Sequence, residues 1–486
     1  MENIIALKLR EKRGAFLNKT SIMAMAVWLL CSGGNLFADT ITKGSEKQLQ
    51  KGYLENKNTS LWKYIESLPV IDTHEHISSE AELLGVQIDI FNLFIPYIVD
   101  NLESAGITTA EMAFMKNGQV AFKERWAVFN KYYPAIQSST YILALQTSLA
   151  EQYQFKNYGL EECQRVSDLL KKDFVTKGFM QKFMDKNKIE SMLTFRSPSS
   201  EEVRRNYGEN KITLVPTVNH ICVKDSKSLD EISKITETPI HNLDDILAGI
   251  DKLFKEYNAA GIKNIKFGSA YNRELNYKER TRAEADASFA KIMATPFDYS
   301  DAVPDKYYVY HLSDYHIPLD DYLANYMISQ AAKYKMNAVF HVGIFAWNYN
   351  SVKNNHASSL EWLIKTHPSV NFVILHAGYP YFDEAILLAK YYPNVYINMT
   401  WDHIIERGKS IEVIKSYIEM LPTSKIHLFG GDYLFPQQIY GNVIFTKENL
   451  YVAFSELIEN GTLTEDQAKI IAYDWLYANP KAFYYR

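Results

Sequence analysis

The chain has 486 residues, 47% of them hydrophobic and 22% charged, with a formal net charge of −5. This is a globular composition with ample material for a large core, which excludes a disordered or fibrous chain. No basic patch or run stands out, so nucleic acid is not an expected partner.

The chain opens with a basic front of Lys8, Arg10, Lys12, Arg13 and Lys19. An apolar stretch follows from Ile22 to Leu30, then a small-residue region ending at Ala38. This three-part pattern is that of a secretory signal over residues 1–38, with export to the periplasm as the expected destination. The apolar run is too short for a stable transmembrane anchor. Cys31 follows Leu30 rather than a small residue, which disfavours a lipoprotein. Beyond it the chain keeps only Cys163 and Cys222. These are expected to be free thiols, because one pair and no CxxC make no disulfide framework and no thiolate metal site.

Residues 39–68 form a polar, Lys-rich lead segment that ends in a predicted helix at LWKYIESL. The first predicted strand is PVIDTHEH (69–76). From about 79 to 210 the pattern turns mostly helical and reads as an insertion after strand one. Within it, WAVFNKYYPAIQSSTYILALQTSLAEQYQF predicts two helices divided near Pro134. Beyond it, short β-branched runs alternate with amphipathic helix-length stretches. The runs are IESMLTF (189–195), ITLVPTV (212–218), IKNIKFG (262–268), NAVFHVG (337–343), NFVILHAG (371–378), NVYINMT (394–400) and KIHLFGGD (425–432). Eight strands alternating with helices predict an α/β fold, a (β/α)8 TIM barrel occupying residues 69–486.

Metal-type side chains stand at the ends of these runs: His74 and His76 on the first, His341, His376, and Asp432 on the last. In a parallel barrel all strands end at one face, so residues far apart in sequence meet there. Residues i and i+2 of a strand share a side, so His74 and His76 can hold one cation together. Imidazole and carboxylate donors with an open position suit zinc, with manganese or iron also compatible. Lys266 lies on the fourth run, two residues before Gly268, where it can sit below the site. After that run come Tyr271 and Arg273, and after the fifth Trp347, all candidate substrate contacts. Arg273 has the fork to clamp a carboxylate, or to form a salt bridge instead.

With DTHEH, FHVG, ILHAGYPY, NVYINMTW and LFGGD in this order, the chain resembles the amidohydrolase superfamily. It is most similar to the amidohydrolase-related branch (amidohydrolase 2), which holds hydrolases and non-hydrolytic decarboxylases, and is more distantly similar to uronate isomerases. The resemblance implies one divalent metal held by His74, His76 and His341, with Asp432 as further ligand or proton acceptor. It implies that His376 contacts or polarises the substrate. Some superfamily members carry a carbamylated lysine on strand four that bridges two metals. The position of Lys266 below the strand end favours one metal here. The implied function is a metal-dependent hydrolase acting on an ester, lactone or amide of a small polar, sugar-acid-like substrate. A uronate-isomerase-like or decarboxylating enzyme on the same site is the alternative. A catalytically dead barrel acting as a binding protein is a third reading, which the intact five-residue set disfavours. Barrels of this kind often associate, which leaves room for a homo-oligomer.

Overall fold

The computed structural model describes residues 59–197, 211–219, 221–298 and 310–485. The signal over 1–38 and the lead residues 39–58 lie outside the described residues. The lead helix does form, over Ser60–Ser67, with the Thr59 hydroxyl accepting from the backbone N–H of Trp62.

Eight parallel strands follow in order: β1 Val70–Glu75, β2 Ile189–Arg196, β3 Ile212–Pro216, β4 Asn264–Phe267, β5 Asn337–Phe340, β6 Phe372–Ile374, β7 Val395–Asn398 and β8 Ile426–His427. Neighbours in sequence pair with one another as β1-β2-β3 and β4 through β8. The two remaining seams close through backbone hydrogen bonds. Between β3 and β4 a bridge joins Thr217 and Lys266, and the Val218 N–H donates to the Lys266 carbonyl at 2.9 Å. Between β8 and β1 the Thr73 N–H donates to Phe429 at 3.2 Å and the Asp432 N–H to His74 at 2.8 Å. The fold is a (β/α)8 barrel.

Each strand is buried on both faces, as a parallel barrel ringed by helices requires. Leu193, Phe195, Val215, Val339, Val373 and Leu375 pack together in the interior, and Tyr484 from the last helix joins them. Several strands begin with asparagine, and these side chains make a polar ladder. Asn337 Nδ2 donates to Asn264 Oδ1 at 2.8 Å, and Asn371 Nδ2 to Asn337 Oδ1 at 3.0 Å. Asn264 in turn donates to the Tyr484 carbonyl at 3.1 Å. The chain terminus is thus tied to the starts of the strands, opposite the end that carries the histidines.

The insertion's helices run from Glu80 to Lys186, and β2 begins at Ile189. The strand β2 thus lies inside the stretch 79–210, of which 198–210 fall outside the described residues. The helix Phe122–Ile136 carries Pro134 inside it; the break comes later, at Ser139, whose hydroxyl caps the helix Thr140–Tyr153. A proline near a helix C-terminus costs only one late hydrogen bond, so the cap rather than the proline sets the boundary. The helix Thr140–Tyr153 packs on the long helix Pro436–Glu459 so closely that a Cβ on Gly441 would sit 1.9 Å from the Ala144 carbonyl oxygen. Among the described residues, no helix is long and apolar enough to cross a membrane, and Cys163 and Cys222 are free thiols.

Candidate metal centre

The site is assembled where the strands stop. His74 and His76 lie at the end of β1, beside a register shift between Asp72 and Glu75. His341 comes one residue after β5, and His376 two after β6. Asp432 follows β8 by five residues and adopts φ 63°, and His376 and Ala377 have φ 55° and 46°. Left-handed backbone at non-glycine residues costs about 1–3 kcal/mol each and gathers at functional sites.

Asp432 joins the β1 pair. Its Oδ1 lies 3.3 Å from His74 Nε2 and 3.1 Å from His76 Nε2. These three residues place one ligand atom each within 4.8 Å of one another. His341 and His376 form a second group beside them: His376 Nε2 lies 3.1 Å from His341 Nδ1, and the His74 and His376 rings are 5.9 Å apart. The five sequence-predicted residues therefore meet in one place.

The tautomers follow from the carbonyls around them. His376 Nδ1 faces the Thr400 carbonyl at 3.1 Å and His341 Nε2 the Ile344 carbonyl at 3.0 Å. A carbonyl only accepts, so each of those nitrogens carries the proton of a neutral ring. The nitrogens that face each other across 3.1 Å are then both lone-pair sites. Protonation of either ring is opposed by burial, which lowers His376 to about 4 and His341 well below the usual histidine value. His376 adds to the effect on His341. His76 Nδ1 faces the Phe195 carbonyl at 3.0 Å, and its Nε2 lies 3.1 Å from Asp432 Oδ1. The His376 and His341 lone pairs thus face each other with no proton between them, an arrangement that a cation resolves. The donor set fits a divalent metal.

Electrostatics agree. Burial drives His74 well down, and the Lys266 charge pushes the same way. Burial alone would raise Asp432, but His74 and His76 outweigh it and hold its carboxyl well below the usual range. At neutral pH the centre holds an ionised carboxylate with the neutral imidazoles of His74, His341 and His376. Because the His376 Nε2 lone pair is free and its proton sits on Nδ1, that nitrogen can bind a cation or accept a proton. In this tautomer it does not donate to a developing oxyanion.

Three neighbours escaped the sequence reading. Phe195, at the end of β2, stacks on His74 with ring centroids 3.8 Å apart. Tyr97 reaches in from the insertion and donates its hydroxyl to the Asp432 carbonyl at 2.5 Å. Asp100, one turn along the same helix, accepts from the Trp347 N–H at 2.8 Å. Trp401 stacks on Tyr97 at 4.1 Å and meets His376 edge-on at 5.6 Å. No spacing in the sequence announces Phe195, Tyr97 or Asp100.

The expected substrate contacts divide. The Tyr271 ring lies 4.6 Å from the His341 ring. Trp347 is held by its backbone to the insertion, at φ 76°. Arg273 does not have a free fork: it is buried between Asp320 at 2.9 Å and Asp321 at 2.7 Å. Asp321 also holds Arg280 at 2.9 Å. A guanidinium already paired with two carboxylates is structural, and its expected role as a carboxylate clamp is withdrawn.

Residues 310–484 match the sequence profile of a family described as Amidohydrolase. Over these residues the chain is similar to that family. The chain is 28% identical over 173 residues to Protein fluG of Emericella nidulans; the match covers 34% of the chain and only 20% of that protein. In fold it is similar to a uronate isomerase from Thermotoga maritima, with TM-score 0.68 and 14% identity over 87% of this chain and 96% of that one. A glucuronate isomerase from Caulobacter crescentus aligns with TM-score 0.66 and 14% identity, over 88% and 95% of the two chains.

Proposed function

We propose that this protein is a metal-dependent hydrolase that cleaves an ester, lactone or amide of a small polar substrate. The observation that carries the reading is the meeting of His74, His76, His341, His376 and Asp432 at one point of the barrel mouth. His74, His76, His341 and Asp432 would hold one divalent ion, zinc by donor type, with manganese or iron compatible. When bound, the ion supplies Lewis acidity, which favours ionisation of water and polarises a substrate oxygen. Asp432, ionised and in reach of both β1 histidines, accepts the proton of the attacking water and returns it to the leaving group. His376 Nε2 can share that proton. Trp401 and Phe195 pack against the imidazoles and keep bulk water off them.

Activity on chromogenic esters, lactones or anilides, lost in Asp432→Asn, supports the reading. No turnover of any such substrate by metal-loaded protein counts against it. The likeness over most of the chain to uronate isomerases favours a second reading, proton shuttling on a sugar acid. That activity would interconvert an aldose acid and a ketose acid without net uptake of water. The leader pattern over residues 8–38 supports an exported, periplasmic enzyme.

A further inference from the structure

Lys266 is a buried cationic group of the barrel interior that the proposed chemistry leaves unused. It pairs in register with Val339, an interior residue, while its neighbour Phe267 pairs with Phe340 on the outer face. Its side chain therefore starts inside the barrel, one layer below the histidines. Two strand residues rise about 6.6 Å, which is close to the reach of an extended lysine. The ammonium does rise that far: it lies 5.2 Å from the centre of the Phe195 ring, whose own ring stacks on His74 at 3.8 Å. Lys266 is 6% exposed. Among the described residues its ammonium makes no hydrogen bond and no ion pair, and the face of Phe195 is its recorded contact.

The other deeply buried basic groups are provided for. Lys447 donates to the Glu66 and Leu68 carbonyls, Arg125 pairs with Asp89, and Arg273 with Asp320 and Asp321. A buried ammonium without such a partner is costly to keep. An acid on a neighbouring strand, the ordinary companion of a barrel lysine, is absent among the described residues. Burial lowers Lys266 to about 7, against the pull of the Asp432 carboxylate; with Arg273 closed off by its own carboxylates, Lys266 is a basic group beside the centre whose charge a further anion would stabilise.

We propose that Lys266 is a substrate-binding residue that forms an anion-binding floor beneath the metal centre, and that the substrate carries a carboxylate that docks on its ammonium. This rests on the reading of the centre as that of a metal-dependent enzyme and names the class of molecule it takes. The carboxylate would enter last and deepest, placing the rest of the molecule at the level of His74, His341 and Asp432, where the reaction takes place.

The test compares wild-type protein and Lys266→Met, both metal-saturated, by thermal unfolding with acetate, D-glucuronate, D-glucose or chloride. Methionine keeps the volume and removes the charge, so the variant should be at least as stable as the wild type without ligand. The expected result is a rise of about 2 °C or more with saturating carboxylate in the wild type. The rise should be lost in Lys266→Met and absent with glucose or chloride. No rise in the wild type, or an equal rise in both, overturns the proposal. A carbamate carbon signal on Lys266 after incubation with 13C-labelled bicarbonate would also overturn it, because carbon dioxide would then be the partner. The shift is read without turnover. Failure to hydrolyse with the shift intact therefore counts against the hydrolase reading alone, and the reverse pattern counts against Lys266 alone.

Discussion

The contact between Tyr97 and Asp432 makes the insertion part of the metal centre, and Tyr97→Phe isolates it. The substitution removes one oxygen and leaves the ring stacked on Trp401 at 4.1 Å. It deletes the hydrogen bond to the Asp432 carbonyl and leaves that carbonyl short of a partner, at a residue whose backbone is held at φ 63°. An unsatisfied buried acceptor costs about 1–3 kcal/mol, and the strained backbone stores a similar amount that can relax once released. If about 1.4 kcal/mol of this falls on the placement of the carboxylate, zinc affinity drops about tenfold. Chelator competition on the stripped protein measures it, with Tyr141→Phe as the control, since Tyr141 stacks on Tyr97 one position further from the centre. Zinc affinity within twofold of the wild type in Tyr97→Phe, with the fold intact, would refute the idea that the insertion positions Asp432.

Other expectations follow from the same structure. Arg273→Met should lower stability by about 3–5 kcal/mol by removing the partner of Asp320 and leaving Asp321 with Arg280 alone. In the fraction that stays folded, KM should be unchanged; a raised KM with normal stability would return Arg273 to the substrate. Gly441→Ala should destabilise by about 1–3 kcal/mol through overpacking against Ala144, read from the urea midpoint. His403 and His427 are buried away from the centre, and burial lowers them to about 4 and about 3. Both values lie below the ~6.5 of an unfolded histidine. The unfolded chain therefore binds more protons below that pH. The stability these rings contribute is complete above ~6.5 and declines toward pH 4 and 3, by about 1.4 kcal/mol per pH unit for each ring. Urea midpoints that stay level from pH 7 to 4 would contradict this.

Much of the barrel was legible because parallel strands buried on both faces leave continuous apolar runs bounded by turn residues, and all eight runs became strands. Their ends were less legible. KIHLFGGD reads as a strand to Asp432, yet the ladder stops at His427, because the chain must turn to bring the carboxylate back to β1 at a positive φ. The histidines stood out as residue types at repeated places. Tyr97 and Phe195 did not, since an aromatic in a helix or at a strand end looks like any core residue until the packing is known. Arg273 was misread for a related reason: its partners lie 47 and 48 residues away, on a helix whose orientation no local pattern encodes. The expected helix division near Pro134 falls instead at the Ser139 cap.

The central claim is that five side chains drawn from four strand ends form a metal centre. Purified protein expressed without added metal, analysed by plasma mass spectrometry beside a His74→Ala/His76→Ala control, tests it most directly. The account predicts about one equivalent of zinc, manganese or iron in the wild type and its loss in the control. A folded wild-type protein that holds no metal even after reconstitution would contradict it.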